Sequence, residues 1–258
     1  MTLSHDVAGA DDAPAVVLLH SGVCDRRMWD AQWTDLADAG YRPVRCDFRG
    51  FGRSPVPDRP YSNADDVLEL LDTLGIERAA LVASSSGGRV ALEIAARRPE
   101  RVSALALLCS ALPGHEVSAE LREIGAREDG LLEAGDVAGA VELMVDTWVG
   151  PEGGPDVREA VRGMQRRAFD VQLAALEEFE PIRAEFDLAA VTAPCLAVSG
   201  AHDVADFREI AAALPGLLAD ARHVELPWAG HLPSLERPSA VTELLVGFLR
   251  GTVPAADR

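Results

Sequence analysis

The chain has no lysine, so all 24 of its basic residues are arginines. That removes the Walker phosphate loop, whose Gly-Lys-Ser/Thr ending needs a lysine ammonium on the nucleotide phosphates. Positive charge is scarce altogether. Against those arginines stand 42 acidic side chains, a formal net charge of −18 and a pI near 4.6. A field of that sign repels nucleic acid and anionic membrane surfaces, so neither is expected as a partner. It does not restrict the substrate, because a local pocket can differ from the global field. Cysteine is sparse too. Cys24, Cys46, Cys109 and Cys195 are far apart in sequence, which excludes zinc and C-x-x-C redox spacing. Three of them lie in or at the ends of apolar runs, and buried free thiols are expected. No run approaches the length of a membrane span, and residues 1–14 have neither a basic segment nor an apolar one. The expectation is a cytoplasmic protein.

What is present is ordinary globular composition, 48% hydrophobic and 26% charged over 258 residues. That length buries a sizeable core in one α/β domain, with or without an insertion. The most informative stretch is Leu81-Val82-Ala83-Ser84-Ser85-Ser86-Gly87-Gly88. Residues 79–83 form an apolar run that reads as a buried strand. Beyond the glycines, Val90, Ala91, Ile94 and Ala95 recur at helical spacing until Pro99 stops them. Only a sharp turn fits between. Ser85 alone of the three serines has small residues two before (Ala83) and, as glycine, two after (Gly87). This is what a nucleophile elbow requires: a strained apex whose small neighbours let strand and helix pass closely. The competing reading, a Ser/Gly-rich phosphate loop, lacks its lysine.

Along the chain, apolar runs at 15–20, 42–47, 79–83, 102–109, 195–200 and 222–226 read as strands. Helical patterns at about 28–39, after Ser62 or Asn63, after Ser85, and from 241 to a stop at Gly251 alternate with them. That alternation predicts a mostly parallel central sheet with helices on both faces. Residues 113–187 break it with helical pieces at 120–127, 137–147 and 155 to about 179, read as a helical cap on a core of 1–112 and 188–258. Chemistry in such sheets sits at the carboxyl ends of the strands. There the chain places Ser85, then His202-Asp203, then His231: a serine, an acid and a histidine at three strand ends.

The chain resembles the α/β-hydrolase superfamily over essentially its whole length. His20-Ser21-Gly22 is similar to the H-G-x loop and Asp47-Phe48-Arg49-Gly50-Phe51-Gly52-Arg53-Ser54 to the D-x-R-G-x-G-x-S turn. Residues 83–87 match the elbow, Gly200-Ala201-His202-Asp203 the acid turn, and Gly230-His231 with Glu236-Arg237-Pro238 the histidine loop. Ser21 and Ala83 replace two of the usual glycines, and the usual pair of leading strands looks shortened. The likeness is greatest to small capped members: esterases, enol-lactonases, haloperoxidase-like and C–C bond hydrolases.

The resemblance implies a serine hydrolase without metal or organic cofactor, acting on a small, largely apolar ester or lactone. Ser85 would be the nucleophile, His231 its base and Asp203 the orienting acid, with Asp206 as a rival more naturally employed as a helix N-cap. Backbone N–H groups of Gly22 and Ser86 would form the oxyanion hole. Val23, Trp148 and Leu232 are candidate pocket residues, although Trp148, Met144 and Phe169 also read as cap core. His20, Asp47, Arg49 and Ser54 read as braces of their turns, and Arg158, Arg162, Arg166 and Arg167 as a solvated face. A cofactor-independent C–C hydrolase, lyase or cyclase is the alternative, followed by a non-catalytic small-molecule receptor.

Overall fold

The computed structural model describes residues 3–177 and 179–253. Seven strands form one sheet: β1 (His5–Val7), β2 (Ala15–Leu19), β3 (Arg42–Cys46), β4 (Ala79–Ser84), β5 (Val102–Leu108), β6 (Cys195–Gly200) and β7 (Ala221–Leu226). Their spatial order is β1-β3-β2-β4-β5-β6-β7. All pairings are parallel except β1 with β3. The leading part of the sheet is therefore the single three-residue strand β1. The central strands have no polar face. In β2 every residue is buried, and Val17 and Leu19 enter one core while Val16 and Leu18 enter the other. This two-faced burial needs helices on both sides.

One face is covered by α2 (Asn63–Thr73) and α3 (Ser86–Arg97), which supply Val67, Leu70, Leu71, Ala91 and Ile94 to the first core. The other carries α1 (Asp30–Asp38) and α9 (Pro238–Thr252), with Leu36, Val241, Leu245 and Phe248. Ser62 caps α2 through its Oγ, as expected. α9 runs through Gly251 instead of stopping there. Gly251 lacks the φ > 0 geometry that would end a helix, and the helix continues for one more residue.

Between β5 and β6 stand α4 (Ala119–Glu133), α5 (Val137–Trp148) and α6 (Pro155–Gln172). α6 ends at Gln172, short of the expected end near 179. The apolar spacing continues past Gln172, but Leu173 and Leu176 are exposed and have nothing to bury them. Arg158 and Arg162 reach from α6 to Asp146 and Glu142 on α5, and Arg166 pairs with Asp170, so this is a solvated, ion-paired face. α7 (Ala205–Leu217) and the short α8 (Pro233–Glu236) complete the chain.

Candidate active site

The sheet order reverses between β2 and β4. Successive connections leave this point in opposite directions and open a crevice at the carboxyl ends of the two strands. Leu19 pairs in register with Ala83, so the loop beginning at His20 and the turn at Ser85 emerge side by side.

Ser85 has φ 53° and ψ −119°. Among the described residues only Ser85 and Cys109 hold φ > 0 without being glycine. Of the three serines, the strained apex is thus Ser85. The turn is fastened on two sides: Ser85 N–H donates to Leu108 O at 3.0 Å, and its carbonyl accepts from Gly88 N–H and Ala111 N–H at 2.9 and 3.0 Å. A Cβ on Gly87 would stand 2.6 Å from His20 O and 2.8 Å from Leu19 O. Glycine is required there because the helix start passes directly over the neighbouring strand end. Gly22 faces Ser86, whose Oγ would lie 3.3 Å from an added Cβ.

His231 is buried, and its Nδ1 lies 2.9 and 3.0 Å from the two Asp203 oxygens. Its ring is flanked by Trp148 at 4.5 Å and Phe207 at 4.3 Å between centroids. The loop around it is held by Glu236, whose carboxylate accepts from Gly230 N–H at 2.9 Å and Leu232 N–H at 3.2 Å. Burial holds the Glu236 carboxyl above its ordinary range.

The loop that follows β2 is braced by His20. Phe48 N–H donates to His20 Nε2 at 2.9 Å, which leaves the proton on Nδ1, 2.8 Å from Ser21 O. Complete burial pushes the His20 pKa down and keeps the ring neutral. Asp47 receives the N–H groups of Arg26 and Arg53, both at 2.9 Å, and Ser54 Oγ donates to Asp47 O at 2.7 Å. Arg49 pairs with buried Asp66. These residues tie the turn together and do not line the cavity at Ser85.

That cavity, of about 230 Å³, is lined by Ser85, Ser86, Gly22, Val23 and His231 from the core and by Leu121, Glu128, Met144, Trp148 and Gln165 from the insertion. Ser21 and Phe207 complete it. Leu232 does not belong to the lining. It is fully buried in the second core, and its N–H is held by Glu236. Asp206 is not an N-cap either. α7 has Val204 at that position, and Asp206, in the first turn, accepts from Ser118 N–H at 2.9 Å and lies 3.1 Å from His115 Nε2. Phe207, Glu128 and Gln165 are site residues that the sequence reading does not single out. Gln165 has a signal there all the same: it is a polar residue within the apolar stripe Val161, Met164, Ala168, Phe169 of α6.

Among the described residues the cluster able to surround an ion is Cys109, Asp203 and His231, with ligand atoms within 4.8 Å of one another. Asp203 and His231 already bond each other, and burial drives the Cys109 thiol well above its ordinary pKa, away from the thiolate a metal needs. All four cysteines are buried and free. No helix among the described residues is long and apolar enough to cross a membrane.

The alpha/beta hydrolase family model matches residues 16–244. The chain belongs to this family. A RutD protein of Klebsiella pneumoniae (strain 342), named provisionally as a carbamate hydrolase, is 31% identical over 261 residues, covering 95% of this chain and 94% of that one. The 2-hydroxy-6-oxo-6-phenylhexa-2,4-dienoate hydrolase of Comamonas testosteroni is 39% identical over 106 residues, and there the match spans 38% of this chain and only 37% of the relative. Among solved structures, the enol-lactonase of Burkholderia xenovorans LB400 is similar with a TM-score of 0.79 and 28% identity, over 96% of each chain.

Proposed function

We propose that this family member is a serine hydrolase of small carboxylic esters or lactones. The observation that carries the reading is the strained Ser85 apex opening on the same cavity as a His231 ring bonded to Asp203. In this mechanism His231 removes the Ser85 proton as Oγ attacks the substrate carbonyl. Asp203 fixes the proton on Nδ1, leaves Nε2 free to accept, and stabilises the imidazolium that forms. The developing oxyanion is received by the N–H groups of Gly22 and Ser86, the latter at the N-terminus of α3. Collapse expels the alcohol with the proton from His231, and a water activated by the same ring then releases the acyl group.

The cavity volume lies below the roughly 300–1,000 Å³ typical of drug-sized ligands, which favours a short acyl part. Helices α4–α6 act as a cap, since residues of all three line the cavity with Ser85. The four free thiols fit a reducing compartment and support a cytoplasmic site of action. A fluorophosphonate probe followed by intact mass tests the reading. One adduct on the wild type, lost in Ser85→Ala together with p-nitrophenyl butyrate hydrolysis, is expected. No adduct on the wild type would refute it. Because one relative is named as a hydrolase of a 2-hydroxy-6-oxo-dienoate, a vinylogous diketone is the second substrate class to assay.

A further inference from the structure

A second cavity, of about 600 Å³, opens between α6 and the turn at residues 47–54. It shares no lining residue with the cavity at Ser85. Its wall carries five arginines against three aspartates, a surplus of two positive charges in a chain whose net charge is −18.

The three aspartates are already engaged. Asp47, whose side chain is 1% exposed, accepts from the backbone N–H groups of Arg26 and Arg53 and from the Arg26 guanidinium. Asp25, 2% exposed, holds Arg27 at 2.7 Å. Asp6 lies 3.0 Å from both Arg26 and Arg45. Arg53 and Arg167 are the surplus. Both are exposed, and among the described residues neither guanidinium has a carboxylate partner. Two of the acids are thus withdrawn from solvent, while the unpaired cations face it. Arg167 Nε donates to Gly52 O at 3.3 Å, which brings this arginine of the insertion to the residue beside Arg53 of the core. Like charges held together repel, and an anion between them would reverse the sign of that interaction.

There is room for one. Gly163 lines the cavity one turn before Arg167 on the same face of α6, and a Cβ there would meet nothing within 4 Å. The number of acceptors decides the class of anion. A carboxylate offers two oxygens, enough for one guanidinium fork, whereas a phosphate group offers three and can serve two forks. Its charge of about −1.5 to −2 near neutral pH also matches the surplus.

We propose that this cavity is an oxyanion site that takes a phosphate group, bridged between Arg53 of the core and Arg167 of the insertion. Inorganic phosphate and a phosphomonoester share that chemistry, and the volume has space for the organic part of the second. The bound group fastens α6, which carries Gln165, over the cavity at Ser85. The assignment does not depend on the reaction at Ser85.

The test titrates the protein with inorganic phosphate and with ribose 5-phosphate by calorimetry, near neutral pH and at an ionic strength fixed with sodium chloride. One saturable site per chain is expected. At about ten times the Kd, the Tm should rise by about 3–6 °C. Tighter binding of ribose 5-phosphate assigns the site to a phosphomonoester, and equal or weaker binding assigns it to free phosphate. Arg53→Gln and Arg167→Gln should each weaken binding by about ten- to a hundred-fold, as expected for losing hydrogen bonds to a charged group. Gly163→Glu places a carboxylate four residues before Arg167, as a tethered occupant. It should abolish phosphate binding and raise the Tm of the phosphate-free protein by about 2–4 °C, since glycine is the poorer helix former. The proposal is overturned by the absence of saturable binding in the wild type, or by a Tm rise that sodium chloride alone reproduces. Undiminished binding in either arginine variant or in Gly163→Glu also overturns it. If an arginine variant fails to fold, Gly163→Glu still decides the location.

Discussion

Adding one methyl group at Gly87 should damage the site more than its size suggests. The Cβ of Gly87→Ala would begin 2.6 Å from His20 O and 2.8 Å from Leu19 O. Both are backbone atoms at the end of a central strand, so neither can swing away as a side-chain tip would. Real Cβ contacts essentially never fall under 3.0 Å and are ordinary beyond 3.4 Å, so the elbow and the loop that follows β2 must separate by about 0.4–0.8 Å. That movement shifts Gly22 relative to Ser86, the two proposed oxyanion donors. A misplacement of 1 Å costs on the order of 10² in rate, so a loss of about ten- to a hundred-fold in kcat is expected. The same strain, treated as overpacking, costs about 1–3 kcal/mol and lowers Tm by roughly 2–10 °C. The control is Gly247→Ala in α9, where an added Cβ meets nothing within 4 Å. There the smaller entropy of the unfolded chain should stabilise by about 0.5–1 kcal/mol. Steady-state hydrolysis of p-nitrophenyl butyrate and a thermal melt read both quantities. A Gly87→Ala protein with wild-type kcat and Tm would refute the argument that this elbow needs its glycine for clearance.

Two further substitutions separate the chemistry from the scaffold. Asp203→Asn keeps the shape beside His231 Nδ1 but favours the wrong tautomer. Turnover should drop by about 10⁴, as in the serine-protease precedent, with little change in Tm; activity within ten-fold of the wild type would remove Asp203 from the mechanism. Asp206 instead ties the start of the insertion to α7. Burial opposes its ionisation, but the bonds from Ser118 and His115 outweigh it and lower its pKa. A depressed folded-state value stabilises the protein fully above the unfolded aspartate pKa of about 3.9 and less as pH falls through the folded value. The wild-type Tm should therefore drop more steeply below about pH 4 than that of Asp206→Asn, which starts lower at neutral pH. Parallel Tm profiles would sink this reading.

The elbow is legible in the sequence because its requirements are local. A strand, a helix and a turn between them leave one place for a strained residue, and Ser85 is the serine with alanine two before it and glycine two after it. The strand ends carrying Asp203 and His231 are legible for a related reason. Burial on two faces makes the central strands continuous apolar runs, and the loops after those runs all emerge at one edge of the sheet. The short β1 is not legible, since three residues are too few to show a period. The N-cap role expected of Asp206 fails because its partners, His115 and Ser118, lie about 90 residues away in sequence, and no local pattern encodes how the insertion docks. Leu232 fails in the same way. Its place next to His231 suggests the pocket, but the fold turns its side chain into the second core.

Glu236 shows what the geometry adds to a motif matched only by resemblance. Its spacing from His231 carries no chemistry that can be read directly. In the fold, its carboxylate takes the N–H groups of Gly230 and Leu232, the residues on either side of His231. Those donors lie in a loop where no strand or helix partner satisfies them, so a buried acceptor is needed. An added Cβ at Gly150, in the turn after α5, would run into both Glu236 and Gly230. The insertion therefore rests on the loop that carries His231. Trp148, two residues earlier, packs on the imidazole. The ring is held by its acid, by its own loop through Glu236, and by the insertion. Any movement of α5 relative to the sheet is thereby coupled to the position of the proposed base. That coupling is why the insertion bears on both the shape of the cavity and the alignment of the residues proposed to react in it.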